Sequence, residues 1–117
     1  MRKQIVAGNW KMNKDYFSSE IFVSKLINLY KKTDTEVIIA PPFTSLRLSL
    51  NMLKGSSIDV AAQNMHFLES GPFTGEISAS MLKSIGVDTV ILGHSERRTY
   101  FNETDSLLAK KVDTALA

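Results

Sequence analysis

Four short apolar runs, at residues 4–9, 36–40, 58–63 and 89–93, leave this chain few folds to adopt. Each is rich in Val, Ile or Ala, and none alternates cleanly between apolar and polar residues. A strand with one wet face alternates, so unbroken apolar strands indicate a parallel sheet covered on both sides. Amphipathic stretches fill the gaps. In 15–32, Phe22, Val23, Leu26, Ile27, Leu29 and Tyr30 follow helical spacing, with Asp15 or Ser18 as first-turn cap. Leu46, Leu50 and Leu53 repeat the pattern in 44–54, with Thr44 as N-cap and Gly55 just past the end. A shorter helix is expected over 77–85, stopped by Gly86. A fourth is expected from about residue 104 to 117, with Leu107, Leu108, Lys111, Val112, Ala115 and Leu116 as its stripe.

The order β-α-β-α-β-α-β-α predicts parallel strands joined by right-handed crossovers. Four such units are half of an eight-unit barrel, which takes about 250 residues. The pattern therefore fits either a small open α/β domain or the first half of a barrel. One long connection, 64–75, has no helical or strand pattern, and loops of that length inside a compact domain tend to carry function.

Composition narrows the function classes. A chain of 117 residues suits one small domain, and 44% hydrophobic with 22% charged residues argues against disorder. Without cysteine there are no disulfides and no thiolate chemistry. The N-terminal residues lead into a short apolar run with no long hydrophobic segment behind it. We therefore expect no signal peptide and no membrane span, and a cytoplasmic protein. The net charge is +2. Its basic pairs, Arg2-Lys3, Lys31-Lys32, Arg97-Arg98 and Lys110-Lys111, are scattered and read as solvated faces, so no nucleic-acid partner is expected.

In parallel α/β folds, reactive side chains sit at the carboxyl ends of strands. The first run ends in Gly8-Asn9-Trp10-Lys11-Met12-Asn13. If the strand continues through them, Asn9 and Lys11 share a face. An amide beside an ammonium suits an oxygen-rich anion; an ordinary surface lysine fits the same spacing. The fourth run ends in Leu92-Gly93-His94-Ser95-Glu96-Arg97-Arg98, and Ser95 can open a short helical turn through Tyr100. A histidine at a helix N-terminus faces backbone N–H groups, which favours a neutral ring able to donate to a carbonyl oxygen. A core or capping histidine also fits. Glu96 has Lys11, Arg97 or Arg98 as candidate partners. His66, in the long loop, reads as structural. The two histidines have no further ligand at metal spacing, so no metal is expected.

These segments resemble the triosephosphate isomerase family. Gly8-Asn9-Trp10-Lys11-Met12-Asn13, Ala40-Pro41-Pro42 and Ala61-Ala62-Gln63-Asn64 are similar to its first three strand ends. Gly71-Pro72-Phe73-Thr74-Gly75-Glu76-Ile77-Ser78 resembles its interface loop, and Val90-Ile91-Leu92-Gly93-His94-Ser95-Glu96-Arg97-Arg98 its active-site histidine segment. The likeness covers the whole chain, in the family's order. It implies the first half of a TIM (β/α)8 barrel, with 1–117 as the N-terminal half of one domain. It also implies interconversion of dihydroxyacetone phosphate and glyceraldehyde 3-phosphate through an enediol(ate), in glycolysis and gluconeogenesis. No cofactor is needed.

By the same resemblance Asn9 and Lys11 bind substrate, and Lys11 supplies positive charge near the phosphate and the developing oxyanion. His94 is the neutral electrophile that shuttles protons, and Glu96 is a supporting carboxylate beside Lys11. Phe73, Thr74, Gly75 and Glu76 form the homodimer contact, with Thr74 inserted near the partner subunit's Asn9, Lys11 and His94. Pro72 departs from the family, which commonly has a small residue there. The family's glutamate base, lid loop and glycine-rich phosphate loops belong to its second half, and no Glu here matches the base motif. These 117 residues by themselves are therefore expected to be inactive. They read alternatively as a non-catalytic half-barrel that associates with a complementary C-terminal half.

Overall fold

The computed structural model describes residues 2–117; Met1, which opens the N-terminal run, lies outside them. The chain divides into two compact units, the first ending at Gln63 and the second running from Asn64 to Ala117.

The first unit holds β1 (Ile5–Asn9), α1 (Tyr16–Leu29), β2 (Glu36–Ala40), a 3-10 turn (Phe43–Ser45), α2 (Leu46–Met52) and β3 (Ile58–Ala62). β1 pairs with β2 and β2 with β3, all parallel, with Asn9 opposite Ala40 and Ile39 opposite Val60. Parallel pairing aligns the three carboxyl ends, so residues following each strand gather at one end of the sheet. Val23, Ile39, Ala40, Leu46, Leu53 and Val60 are buried. α1 starts where a capping box forms: Asp15 accepts from the Ser18 N–H, and the Ser18 hydroxyl bonds the Asp15 N–H. Both residues considered for this cap thus take part. Ser19 and Ser45 share a buried hydroxyl hydrogen bond of 2.8 Å. Small side chains there let α1 approach the start of α2 closely.

Three expectations change in this unit. Thr44 does not cap α2. Pro42 fixes the backbone one turn earlier, the Ser45 N–H reaches the Pro42 carbonyl, and Thr44 lies inside the resulting 3-10 turn. The apolar stripe of α1 is only partly covered: Val23 is buried, while Phe22, Ile27 and Leu29 are exposed. β1 is exposed on both faces, with Ile5 and Val6 at 56% and 59% accessibility.

The second unit holds α3 (Ala79–Ser84), β4 (Thr89–Val90), α4 (Ser95–Tyr100) and α5 (Asp105–Leu116). Ser78 caps α3 by accepting from the Met81 N–H, so the helix starts two residues later than its apolar pattern suggests. Gly86, in a left-handed conformation, follows its end. Thr104 caps α5 through the Leu107 N–H. Leu82, Val87, Met65 and Leu108 are buried. β4 is two residues long where five were expected: the strand ends at Val90, and Gly93 at φ 67° then turns the chain out of the extended form. The Lys110-Lys111 pair is not a solvated face. Lys111 is 3% exposed and ion-pairs with Glu103, itself 5% exposed. Its place on the apolar stripe, three residues after Leu108, carries the ammonium inward.

Candidate functional site

At the carboxyl end of β1 the chain makes an abrupt turn. The Trp10 N–H still continues the ladder, donating to the Ala40 carbonyl at 3.1 Å. The Trp10 ring is buried and meets Phe22 edge-on at 5.0 Å, and the Lys14 ammonium lies 4.7 Å from the Phe22 ring centre. With Trp10 anchored, Lys11 takes φ 55° and Lys14 φ 73°. The left-handed form costs an L-residue about 1–2 kcal/mol, so other contacts must hold it. The Lys11 N–H donates to Asn9 Oδ1 at 2.9 Å, an Asx turn. Asn13 Nδ2 donates to the Trp10 carbonyl at 2.8 Å, and Gln63 Nε2 donates to the Lys11 carbonyl at 2.9 Å.

Asn9 and Lys11 are therefore brought together, but not by strand alternation. The strand stops at Asn9, and Lys11 belongs to the turn. The Asn9 side chain sets the Lys11 backbone, and the lysine side chain projects from an exposed position.

In the second unit His94 is the N-cap of α4. Its Nδ1 accepts the Glu96 N–H at 3.1 Å, and the Glu96 carboxylate stands 3.7 Å from the same nitrogen. A proton on Nδ1 would meet that N–H head-on, so the accepted hydrogen bond puts the ring proton on Nε2. Nε2–H is then the donor available to a ligand oxygen. Gly93 aims this turn: it is left-handed, and a Cβ there would lie 2.9 Å from Leu108 Cδ1.

α4 buries no side chain of its own. Arg97 Nε donates to Glu103 Oε2 at 3.1 Å, and Arg98 Nη1 to Asp105 Oδ1 at 2.6 Å. Each arginine thus has an acidic partner other than Glu96. Glu103 Oε2 also takes the ammonium of Lys111, which reaches Asn64 Oδ1 at 2.9 Å. Burial pushes the Glu103 carboxyl up. The hydrogen bonds from Lys111 and Arg97 outweigh it and hold the group below its ordinary 4.5. Sequence reasoning missed Glu103 and Gln63 as anchors. The available signals were a lysine on an apolar stripe and an amide directly after a strand.

The 73–76 segment is a tight turn in which the Glu76 N–H donates to the Phe73 carbonyl and Gly75 is left-handed. Phe73 stacks on the His66 ring at 4.5 Å, and Phe67 packs against His66 at the same distance. The His66 N–H bonds the Ile77 carbonyl at 2.7 Å, which makes it a fastener of the loop, as its position suggested. Thr74 and Glu76 border a cavity of about 280 Å³ shared with Arg97 and Glu103.

Parallel strands alternating with helices, with polar residues gathered after the strands, define a protein of the α/β class. A family model described as triosephosphate isomerase matches residues 4–117. The chain belongs to the triosephosphate isomerase family, and its four βα units are the first half of that family's barrel. It is similar to proteins named triosephosphate isomerase from several bacteria. That of Flavobacterium johnsoniae is 58% identical, over 99% of this chain and 47% of the relative. That of Clostridium acetobutylicum is 56% identical over 100% and 47%. That of Alkaliphilus metalliredigens is 51% identical over 99% and 47%. The chain thus spans about half the length of the curated relatives it matches.

Proposed function

We propose that the whole protein interconverts dihydroxyacetone phosphate and glyceraldehyde 3-phosphate, a glycolytic and gluconeogenic step in the cytoplasm, with these residues as half of its site. The observation that carries this reading is the Asn9–Lys11 turn at the end of β1, which holds a lysine in a left-handed conformation within a family of this activity. Strain of this kind persists where surrounding contacts over-determine it, and such places cluster at functional sites. Lys11 offers a compact positive charge to the substrate phosphate and to oxygen charge developing in the enediolate. Asn9 fixes the turn and binds substrate. His94 presents Nε2–H to the two substrate oxygens in succession and returns the proton it gives. Glu96 stands beside Nδ1 and serves as a supporting carboxylate. The base that takes the carbon-bound proton is assigned to none of these residues.

The protein acts as a homodimer in this reading, with Phe73, Thr74, Gly75 and Glu76 at the contact. The stacking of Phe73 on His66 supports it, since a pre-ordered loop loses less entropy on docking. The 117 residues alone are read as inactive, a half-barrel that needs a complementary C-terminal half. The exposure of Ile5 and Val6 on β1 favours this.

Lys11→Ala tests the assignment. Measured in the two-half enzyme, kcat/KM should fall by about 100-fold or more, as expected when a preorganised charge is removed. Lys11→Arg should not restore it fully, because a planar fork replaces a point charge. Unchanged kcat/KM in Lys11→Ala would remove Lys11 from the site.

A further inference from the structure

We propose that Gln63 is a positioning residue that aims Lys11. This rests on the reading of Lys11 as a substrate-binding cation, and it adds a residue whose role neither family membership nor the site assignment supplies. Gln63 follows β3 directly, at the same end of the sheet as the β1 turn. A glutamine amide nitrogen has two hydrogens to donate. Here one goes to the Lys11 carbonyl at 2.9 Å and the other to the Ala40 carbonyl at 2.7 Å. Ala40 ends β2, and its carbonyl also takes the Trp10 N–H. A single side chain just past β3 thus ties the end of β2 to the turn after β1.

The effect on Lys11 is specific. Its N–H is held by Asn9 and its carbonyl by Gln63, so both flanking peptide planes are fixed and φ stays at 55°. A lysine side chain has four rotatable bonds and little intrinsic direction. What the backbone can set is the bond from Cα to Cβ, and fixing φ and ψ sets it. The side-chain chemistry at 63 is restrictive. Glutamate would bring lone pairs against two carbonyl oxygens, and methionine matches the length but donates nothing.

The test uses Gln63→Met, Lys11→Ala and the double variant, read in two ways. In the isotopically labelled full chain, NMR reports the Lys11 conformation. The strong intraresidue amide–Hα cross-peak that marks a positive φ should weaken in Gln63→Met. In the enzyme with its second barrel half supplied from a relative, Gln63→Met should raise KM and lower kcat/KM by about tenfold, the scale of a slightly misplaced group. The same change should add less than about twofold on top of Lys11→Ala, since coupled residues are not additive. An unchanged cross-peak, a fall in kcat with KM unaltered, or full additivity overturns the proposal. If Gln63→Met fails to fold, Gln63→Glu of the same shape must show the same loss, and native behaviour in it overturns the proposal equally. Failure of the functional reading looks different: Lys11→Ala alone then keeps parental kcat/KM, whatever happens to the cross-peak.

Discussion

Single residues carry most of the chemistry in this account, and they differ in how readable they were. Asn9, Lys11 and His94 stood out because they follow apolar runs where parallel folds place reactive groups. What spacing could not give was the mechanism of placement. Alternation assigned Asn9 and Lys11 to one face, whereas an Asx turn and a left-handed backbone join them. His94 fits its expected position as an N-cap, and the Glu96 N–H fixes its tautomer. Nitrogen NMR of the neutral His94 ring should therefore report an unprotonated, hydrogen-bonded Nδ1 and a protonated Nε2. The opposite tautomer would contradict the donor role given to it.

Glu103 belongs to the same scale and was not legible. Its partners Arg97 and Lys111 lie six residues before and eight after it, and only the folded turn between α4 and α5 brings them onto one oxygen. Because its carboxyl is held below 4.5, its contribution to stability is complete above that value and is lost as pH falls through the lower folded one. Glu36 and Asp15 shift the same way, the first chiefly through the hydrogen bond from Lys3, the second through Ser18. The melting temperature should fall as pH drops below about 4, where carboxylates begin to protonate. Glu103→Gln should melt lower at pH 7, because Lys111 and Arg97 lose their counter-charge, and should show a shallower acid decline. An acid decline as steep as the parent's would count against the buried carboxylate as its source.

Elements were read well where caps and glycines punctuate them, and poorly where tertiary contacts decide. Thr104 and the Asp15–Ser18 box open their helices as their residue types suggest. Pro42 overrode Thr44, and β4 stopped at two residues. The helix that carries His94 is the clearest case of an element held from outside. α4 has six residues and no buried side chain, so propensity and core packing contribute little. Two ion pairs hold it instead, and burial separates their worth. Arg97 meets a carboxylate that is 2% exposed and stacks over Phe101, while Arg98 meets an Asp105 side chain that is 91% exposed. By urea denaturation Arg97→Ala should cost about 1.5–3 kcal/mol, the range for hydrogen bonds to charged groups. Arg98→Ala should cost less than about 1 kcal/mol, as exposed pairs do. Equal costs would mean that burial does not set the strength of this clamp.

For the whole molecule, the strand–helix order was legible throughout, since a barrel is built by repetition and each repeat announces itself in apolar period. The division at Gln63 was not, because no proline, glycine or charge run marks it. Nor could period alone tell an open sheet from half of a barrel; family membership decides that. The exposed Ile5 and Val6 of β1 are apolar surface at a sheet edge, which proteins ordinarily cover. The proposal above gives these residues the cation and the electrophile of the isomerisation and leaves the base to the rest of the protein. A coupled isomerase assay on the purified 117-residue chain, with and without the C-terminal half of the Flavobacterium johnsoniae relative, tests it most directly. Turnover should be absent from the chain alone and present after mixing. Turnover by the chain alone, or none from a mixture shown to associate, would contradict it.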